Sequence, residues 1–352
     1  MPDKYLVVAP NWLGDAVMAL PALVAIRRGR PHDVLAVAAR PAIAPLFSMV
    51  PGVDEVLTLP RTRGGGPLRA VKAEAEMLAQ AGVAMALLFP NSFRSAWALR
   101  GAGIPERWGV ASDFRARLLT RAVPRPKLPG RHHSEYYAAI ADAFGFARAE
   151  DDRARLAVPD EARARGTELL EREGLGLDRV LVGMAPGAAY GRAKQWPPRR
   201  YAELAAALHE RAGAISVLVG SGGDRAAGEE ILRRLGPGRP GSPRVVNLIG
   251  RTDLPLLVAV MSRCRAFVSN DSGAMHLAAA AGLPVTAPFG STREKETAPL
   301  PAAAAGVPGH AILTADVWCR PCMLRECPID HRCMTRIPAA AAAEAVLQQI
   351  ER

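Results

Sequence analysis

The sequence predicts an α/β protein of two domains, each a series of parallel strands joined by helices. Three observations carry this. Short apolar runs alternate with helical patterns, as YLVVAP (5–10), DVLAVAAR (33–40), VDEVLTLP (53–60) and VAMALLFP (83–90). Runs of this kind suit strands buried on both faces of a parallel sheet. The series restarts at VLVGMAP (180–186) after a charged stretch, DDRARLAVPDEARARG (151–166), which reads as a linker. Finally, 352 residues are more than one core usually supports.

In the first half, YLVVAP leads into NWLGD (11–15), read as a turn, and then a helix over 16–28 interrupted early by Pro21. The turn is not GxGxxG, so no dinucleotide fingerprint is present. Asp15 stands at the helix start, where it is either an N-cap or a general base whose ionised form the helix dipole favours. RTRGGGP (61–67) is a basic loop, and 68–82 a helix. After the strand at 83–90, Asn91, Ser92, Arg94 and Ser95 occupy another strand-to-helix junction on the same edge as Asp15. They are candidate acceptor contacts or helix caps. Residues 114–133 hold Arg115, Arg117, Arg121, Arg125, Lys127 and Arg131 among three prolines, which argue against a long helix. This basic loop could dock an anionic acceptor. SEYYAAIADAFGF (134–146) closes the half as a helix.

In the second half, Gly187, Ala188 and Ala189 follow the first strand, and Lys194 is a well-placed cation ahead of a helix opening at Pro197 or Pro198. The logic is that of a phosphate loop without Walker spacing. AISVLVGSGGD (214–224) ends in Asp224, placed where a ribose diol could be held. Gly250, Arg251 and Thr252 lie on the ligand edge and could flank a base. The stretch AFVSNDSGAMHLAAAAGLPVTAPFGST (266–292) is one β-α-β unit. Its helix start at Ser272–Gly273 suits a diphosphate. Asp271 would repel phosphate and is given sugar hydroxyls, and His276, one turn in, can donate to either. The alternative is an ordinary N-cap at Asp271 or Ser272. Four ligand-edge loops thus recur on successive units of one domain.

CRPCMLRECPIDHRC (319–333) carries Cys319, Cys322, Cys327 and Cys333. So dense a cluster in a Cys-poor chain suggests a metal, such as a structural zinc, or a redox-labile cluster more than disulfides, although only the first half has C-x₂-C spacing; the alternative is a compact loop of reduced cysteines. Residues 337–352 end the chain as a helix. The net charge of +11 implies an anionic partner. Nucleic acid is not expected, because basic motifs interleaved with aromatics are missing. The N-terminal apolar run is too short for a signal peptide and no run reaches transmembrane length, so a cytoplasmic protein is expected.

PNWLGDAVMALPAL, APGAAYGRAKQWPPRRYAEL and SNDSGAMHLAAAAGLPVTAPFGST together resemble the ADP-heptose:lipopolysaccharide heptosyltransferases, glycosyltransferase family 9. The branch that adds the second heptose is nearest. The resemblance implies a GT-B fold, with two Rossmann-like domains facing across a cleft. Residues 1–160 would bind the acceptor, 161–336 would bind ADP-heptose, and 337–352 would pack back towards the first domain. It implies Asp15 as catalytic base and Lys194 as the diphosphate cation. Asp271, Ser272, Gly273 and His276 fall on the family's D-[ST]-G-x-x-H motif, Asp224 on its ribose acid and Thr252 near the base. Backbone amides of Gly187, Ala188 and Ala189 replace the hydroxyl residues of some relatives. The implied reaction is inverting transfer to a Kdo-lipid A inner core already bearing heptose, without a catalytic metal. Peripheral contact with the cytoplasmic face of the inner membrane is also expected. The alternatives are another heptosyltransferase step or a transferase of the same family using a different nucleotide sugar and, in a different class, a nucleotide-sugar epimerase.

Overall fold

The computed structural model describes residues 3–61, 66–150, 152–176, 178–238, 241–301 and 307–351. Residues 62–65 of the basic stretch 61–67 lie outside the described residues. The chain divides into two compact units, Met1–Ala157 and Val158–Arg352, just before the expected boundary at 160/161.

The first unit runs β1 (Lys4–Val8), α1 (Leu13–Met18), α2 (Leu20–Gly29), β2 (Val34–Ala39), α3 (Ala44–Phe47), β3 (Glu55–Thr58), α4 (Gly66–Ala79), β4 (Met85–Leu88), α5 (Phe93–Gly101), β5 (Glu106–Val110), β6 (Arg121–Val123) and α6 (His133–Ala143). Its sheet is wholly parallel, in the order β3-β2-β1-β4-β5-β6. The central strands are buried on both faces, Leu6, Ala36 and Leu88 completely, as their unbroken apolar sequences require. Helix begins at Leu13, not after Asp15, and Pro21 opens a second helix instead of merely kinking one. Proline fits a first turn because the N–H it lacks has no intrahelical partner there. The stretch 114–133 is not all loop either: it contains a 3₁₀ turn at Arg115–Leu118 and the edge strand β6.

The second unit runs α7 (Asp160–Arg172), β7 (Leu181–Ala185), α8 (Pro198–Ala212), β8 (Ile215–Leu218), α9 (Arg225–Leu235), β9 (Val245–Asn247), α10 (Leu254–Met261), β10 (Ala266–Ser269), α11 (Gly273–Ala280), β11 (Val285–Phe289), α12 (Glu294–Thr297), β12 (Ala311–Thr314), α13 (Arg332–Thr335) and α14 (Ala339–Ile350). Its parallel sheet has the order β12-β11-β10-β7-β8-β9, the same winding as the first. Part of the expected linker is the helix α7, whose Ala162, Gly166 and Leu170 form a buried stripe at helical spacing, with Gly166 against Ala259 of α10. The last helix groups with the second unit: Ala342, Ala343, Val346 and Leu347 share a core with Trp196, Tyr201, Leu204 and Leu208. Their spacing gives α14 one apolar face, and α8 buries it.

Candidate active site

Each sheet has one point where the chain reverses its winding, and ligands of open α/β sheets bind at the carboxyl ends of the strands there. In the second unit that point lies between β7 and β10. Asn270, completely buried, ties the loops after these strands together. Its Nδ2 donates to the carbonyls of Pro186 (2.7 Å) and Gly187 (3.2 Å). Its Oδ1 accepts from the Trp196 N–H (2.9 Å) and the Tyr201 hydroxyl (3.0 Å). Lys194 stands in a short 3₁₀ turn of the first loop, and its ammonium donates to Asp271 Oδ2 at 2.6 Å. Thr292, after β11, donates its hydroxyl to the same oxygen at 2.7 Å. The pair is nearly dry, with side chains 13% and 5% exposed. Asp271, expected to take sugar hydroxyls, here holds Lys194 in place with that oxygen.

The helix-capping alternative for Asp271 and Ser272 does not hold. Ser272 is the N-cap residue of α11, but no side chain caps that helix, and the Ser272 hydroxyl bonds Ser269 Oγ at 3.0 Å. By contrast Asp253 caps α10 and Ser92 caps α5. The first N–H groups of α11, at Gly273 and Ala274, carry the helix's positive end, and the Ser272 side chain does not cap them. His276 is buried one turn in. Asp224 forms a capping box with Ser221, its Oδ2 accepting the Ser221 N–H and hydroxyl, both at 2.8 Å. Its carboxylate presses on the first loop: a Cβ on Gly187 would stand 2.0 Å from Asp224 Oδ1. That approach demands glycine and brings Asp224 to the site. Ala188 is half-buried and Ala189 exposed, and both offer only backbone. Thr252 is half-buried beside Arg251, which pairs with Glu173 at 2.7 Å. Among the described residues no hydrogen bond links Thr252 to the Lys194–Asp271 pair.

In the first unit the reversal lies between β1 and β4. Asp15 is in the first turn of α1, whose N-cap position is Trp12 with no side-chain cap, so Asp15 is not a cap. The Tyr137 hydroxyl, from α6, donates to the Asp15 carboxylate. Burial first, and the Asp15 charge second, raise the Tyr137 phenol above its usual range, so it remains a donor. Tyr137→Phe should lower kcat for a reaction in which Asp15 is the base. It should also move the acid limb of the kcat/KM profile to higher pH, because a donor that favours the carboxylate is lost. An unmoved profile would leave Tyr137 as packing.

The other candidates of this edge all have internal partners. Asn91 donates to the Tyr136 hydroxyl at 2.5 Å and accepts from Arg115 at 3.4 Å. Ser92 accepts the Ser95 N–H at 3.3 Å, as a cap does. Arg94, with Arg40, pairs with the buried Glu74. Arg115 is not part of a docking surface. It is completely buried and donates to the carbonyls of Val110 (2.8 Å) and Pro90. Burial lowers its pKa to about 10, which still leaves it charged at neutral pH. Arg121 lies over the rings of Trp108 and Phe144.

All five cysteines are free thiols. Among the described residues no group of three or more His, Cys, Asp or Glu side chains could hold a metal ion as placed. The zinc expectation for Cys319, Cys322, Cys327 and Cys333 finds no ligand set here. Cys333 is pushed up to about 11, by burial first and then by the other three thiols, and burial pushes Cys264 up to about 12. Thiolate is the reactive form. Alkylation at neutral pH should therefore mark exposed Cys322 first and spare Cys264 and Cys333 until the chain unfolds, as peptide mass mapping would show. Labelling of Cys333 in the folded protein should rise only as pH approaches its raised pKa.

Sequence reasoning missed Tyr137, Asn270 and Thr292 as site residues. Asn270 opens the polar turn after β10, which was a usable signal. Tyr137 and Thr292 had none, since their partners are remote in sequence.

Comparison with known proteins bears on this arrangement. Residues 73–332 match the model of glycosyltransferase family 9 (heptosyltransferase). The chain is 35% identical over 300 residues to lipopolysaccharide heptosyltransferase 2 of Salmonella typhimurium, covering 84% of this chain and 85% of that protein. It is 34% identical, over the same shares, to lipopolysaccharide heptosyltransferase 2 of Escherichia coli K12. The structure of E. coli ADP-heptose lps heptosyltransferase II superposes with a TM-score of 0.81 at 28% identity, covering 99% of this chain and 98% of that one. E. coli heptosyltransferase WaaC with ADP shares the fold, with a TM-score of 0.71 at 18% identity over 98% and 99% of the two chains.

Proposed function

Because the chain belongs to glycosyltransferase family 9 and is a glycosyltransferase, we propose that it moves L-glycero-D-manno-heptose from ADP-heptose to the first heptose of the lipopolysaccharide inner core, with inversion. The two-unit α/β architecture is the GT-B fold of the heptosyltransferases it matches. The observation that carries the donor half is the nearly dry Lys194–Asp271 pair beside an uncapped helix start. Cation and helix end together suit a diphosphate. Gly187, Ala188 and Ala189 lend backbone N–H groups, Asp224 a ribose diol acceptor and His276 a donor.

In the reaction, Asp15 takes the proton of the acceptor hydroxyl. The acceptor oxygen bonds to the anomeric carbon as that carbon's bond to the β-phosphate oxygen breaks. ADP leaves with the electron pair. Negative charge grows on the diphosphate, so its stabilisation by Lys194 and the α11 amides is the largest expected catalytic contribution. These are charges the chain itself supplies. The first unit offers the acceptor exposed apolar side chains: Trp12 follows β1, Phe93 opens α5 after β4, and Phe114 follows β5. A lipid-linked acceptor and peripheral membrane contact fit those side chains and the net charge of +11. No helix among the described residues is long and apolar enough to cross a membrane.

The test is ADP release from ADP-heptose with and without heptosylated Kdo-lipid A, each in excess EDTA. Acceptor-dependent release that survives EDTA is expected. Conversion of the donor alone to an isomeric sugar would favour the epimerase, and release that EDTA abolishes would contradict the metal-independent mechanism.

A further inference from the structure

The cysteine-bearing segment 319–333 has no part in the mechanism above, yet it is bonded to the phosphate loop after β7 and to the loop after β11 that carries Thr292. The Ala193 N–H donates to the Arg325 carbonyl at 2.9 Å. The Tyr190 hydroxyl donates to the Met323 carbonyl at 3.2 Å, and a ring nitrogen of His331 is 3.0 Å from the Ala193 carbonyl. On the other side, the Met323 N–H donates to Ser291 at 2.8 Å and Arg320 Nε to Gly290 at 3.2 Å. Ser291 precedes Thr292, which donates to Asp271. The segment passes so close that a Cβ on Gly191 would stand 2.3 Å from the Arg325 carbonyl oxygen. Position 191 must be glycine for the two backbones to meet.

This route delivers a charge. The Tyr190 ring carries Lys194 Nζ at 4.9 Å from its centroid and the Arg325 guanidinium carbon at 5.0 Å. Two cations against one ring repel each other, and an anion shared between them would relieve that. Lys194 is already offset by Asp271, while among the described residues no carboxylate pairs with Arg325. A diphosphate bears more than one negative charge, and the paired lysine alone does not balance it. A guanidinium fork suits phosphate oxygens, and Tyr190 presents it at the mouth of the loop.

We propose that Arg325 is a second cation of the donor site, binding the diphosphate beside Lys194, with Tyr190 as the platform that aims it. The proposal rests on the donor reading above. It also gives the 319–333 segment a task that needs no metal: its backbone bonds set the height of Arg325 over the phosphate loop.

The test is calorimetric titration of ADP and of adenosine into the parent protein, Arg325→Gln and Arg325→Lys. The backbone bond to Ala193 survives both substitutions, so loop anchoring is held constant. Arg325→Gln should bind ADP about tenfold or more weakly, the loss of one charge-assisted contact, with adenosine binding unchanged and Arg325→Lys in between. Unchanged ADP affinity would overturn the proposal. Equal losses of ADP and adenosine would also overturn it, by pointing to a collapsed site. A parent protein that binds no ADP would instead bring down the donor reading, and the proposal with it.

Discussion

Asp15→Asn should leave donor affinity as it is and lower kcat by about 10²- to 10⁴-fold, the usual contribution of a positioned base. Asparagine keeps the side chain's shape and can still accept from Tyr137, but it cannot take a proton. The donor loops all belong to the second unit, so ADP binding is a clean control. The same loss of kcat with weakened ADP would mean that Asp15 supports the fold or the donor, and full turnover would remove it from the chemistry. It sits half-buried in the first turn of α1, where the helix's positive end favours a negative side chain.

Lys194→Ala should be costly twice over. It removes a fixed charge from the leaving diphosphate, for which a loss of about 10²- to 10³-fold in kcat is expected. It also strands the Asp271 carboxylate, 5% exposed, with only the Thr292 hydroxyl of its two donors at that oxygen. Removing one partner of a buried pair typically costs about 3–5 kcal/mol, so the melting temperature should fall clearly. Lys194→Ala combined with Asp271→Asn should recover much of that stability and none of the turnover. Recovered activity in the double variant would show that the pair is structural, and undiminished kcat in Lys194→Ala would remove the lysine from the site.

What the sequence made legible follows from what local chemistry records. Buried parallel strands must be apolar throughout, so runs such as YLVVAP and VLVGMAP stand out. Each unit's loops at the carboxyl edge announce themselves by glycine and polar residues, and Lys194, Asp224, Asp271 and Ser272 stand out on that ground alone. Contacts between distant segments leave no such trace. That Arg115 is a buried cation closing a loop, while its neighbour Arg117 is exposed, depends on carbonyls of Pro90 and Val110 that only the fold assembles. The early start of α1 was hidden because Trp12 at its N-cap carries none of the usual oxygen ligands. The short strand β6 was hidden among prolines. That α14 packs on α8 is likewise a contact between distant segments.

The most direct measurement is the mass of acceptors after incubation with ADP-heptose, using Kdo-lipid A with no heptose and with one. Addition of one heptose only to the acceptor that already bears one is the predicted result. Addition to the bare Kdo-lipid would make this the first-step enzyme, and no addition to either, with ADP-heptose firmly bound, would contradict the acceptor assignment.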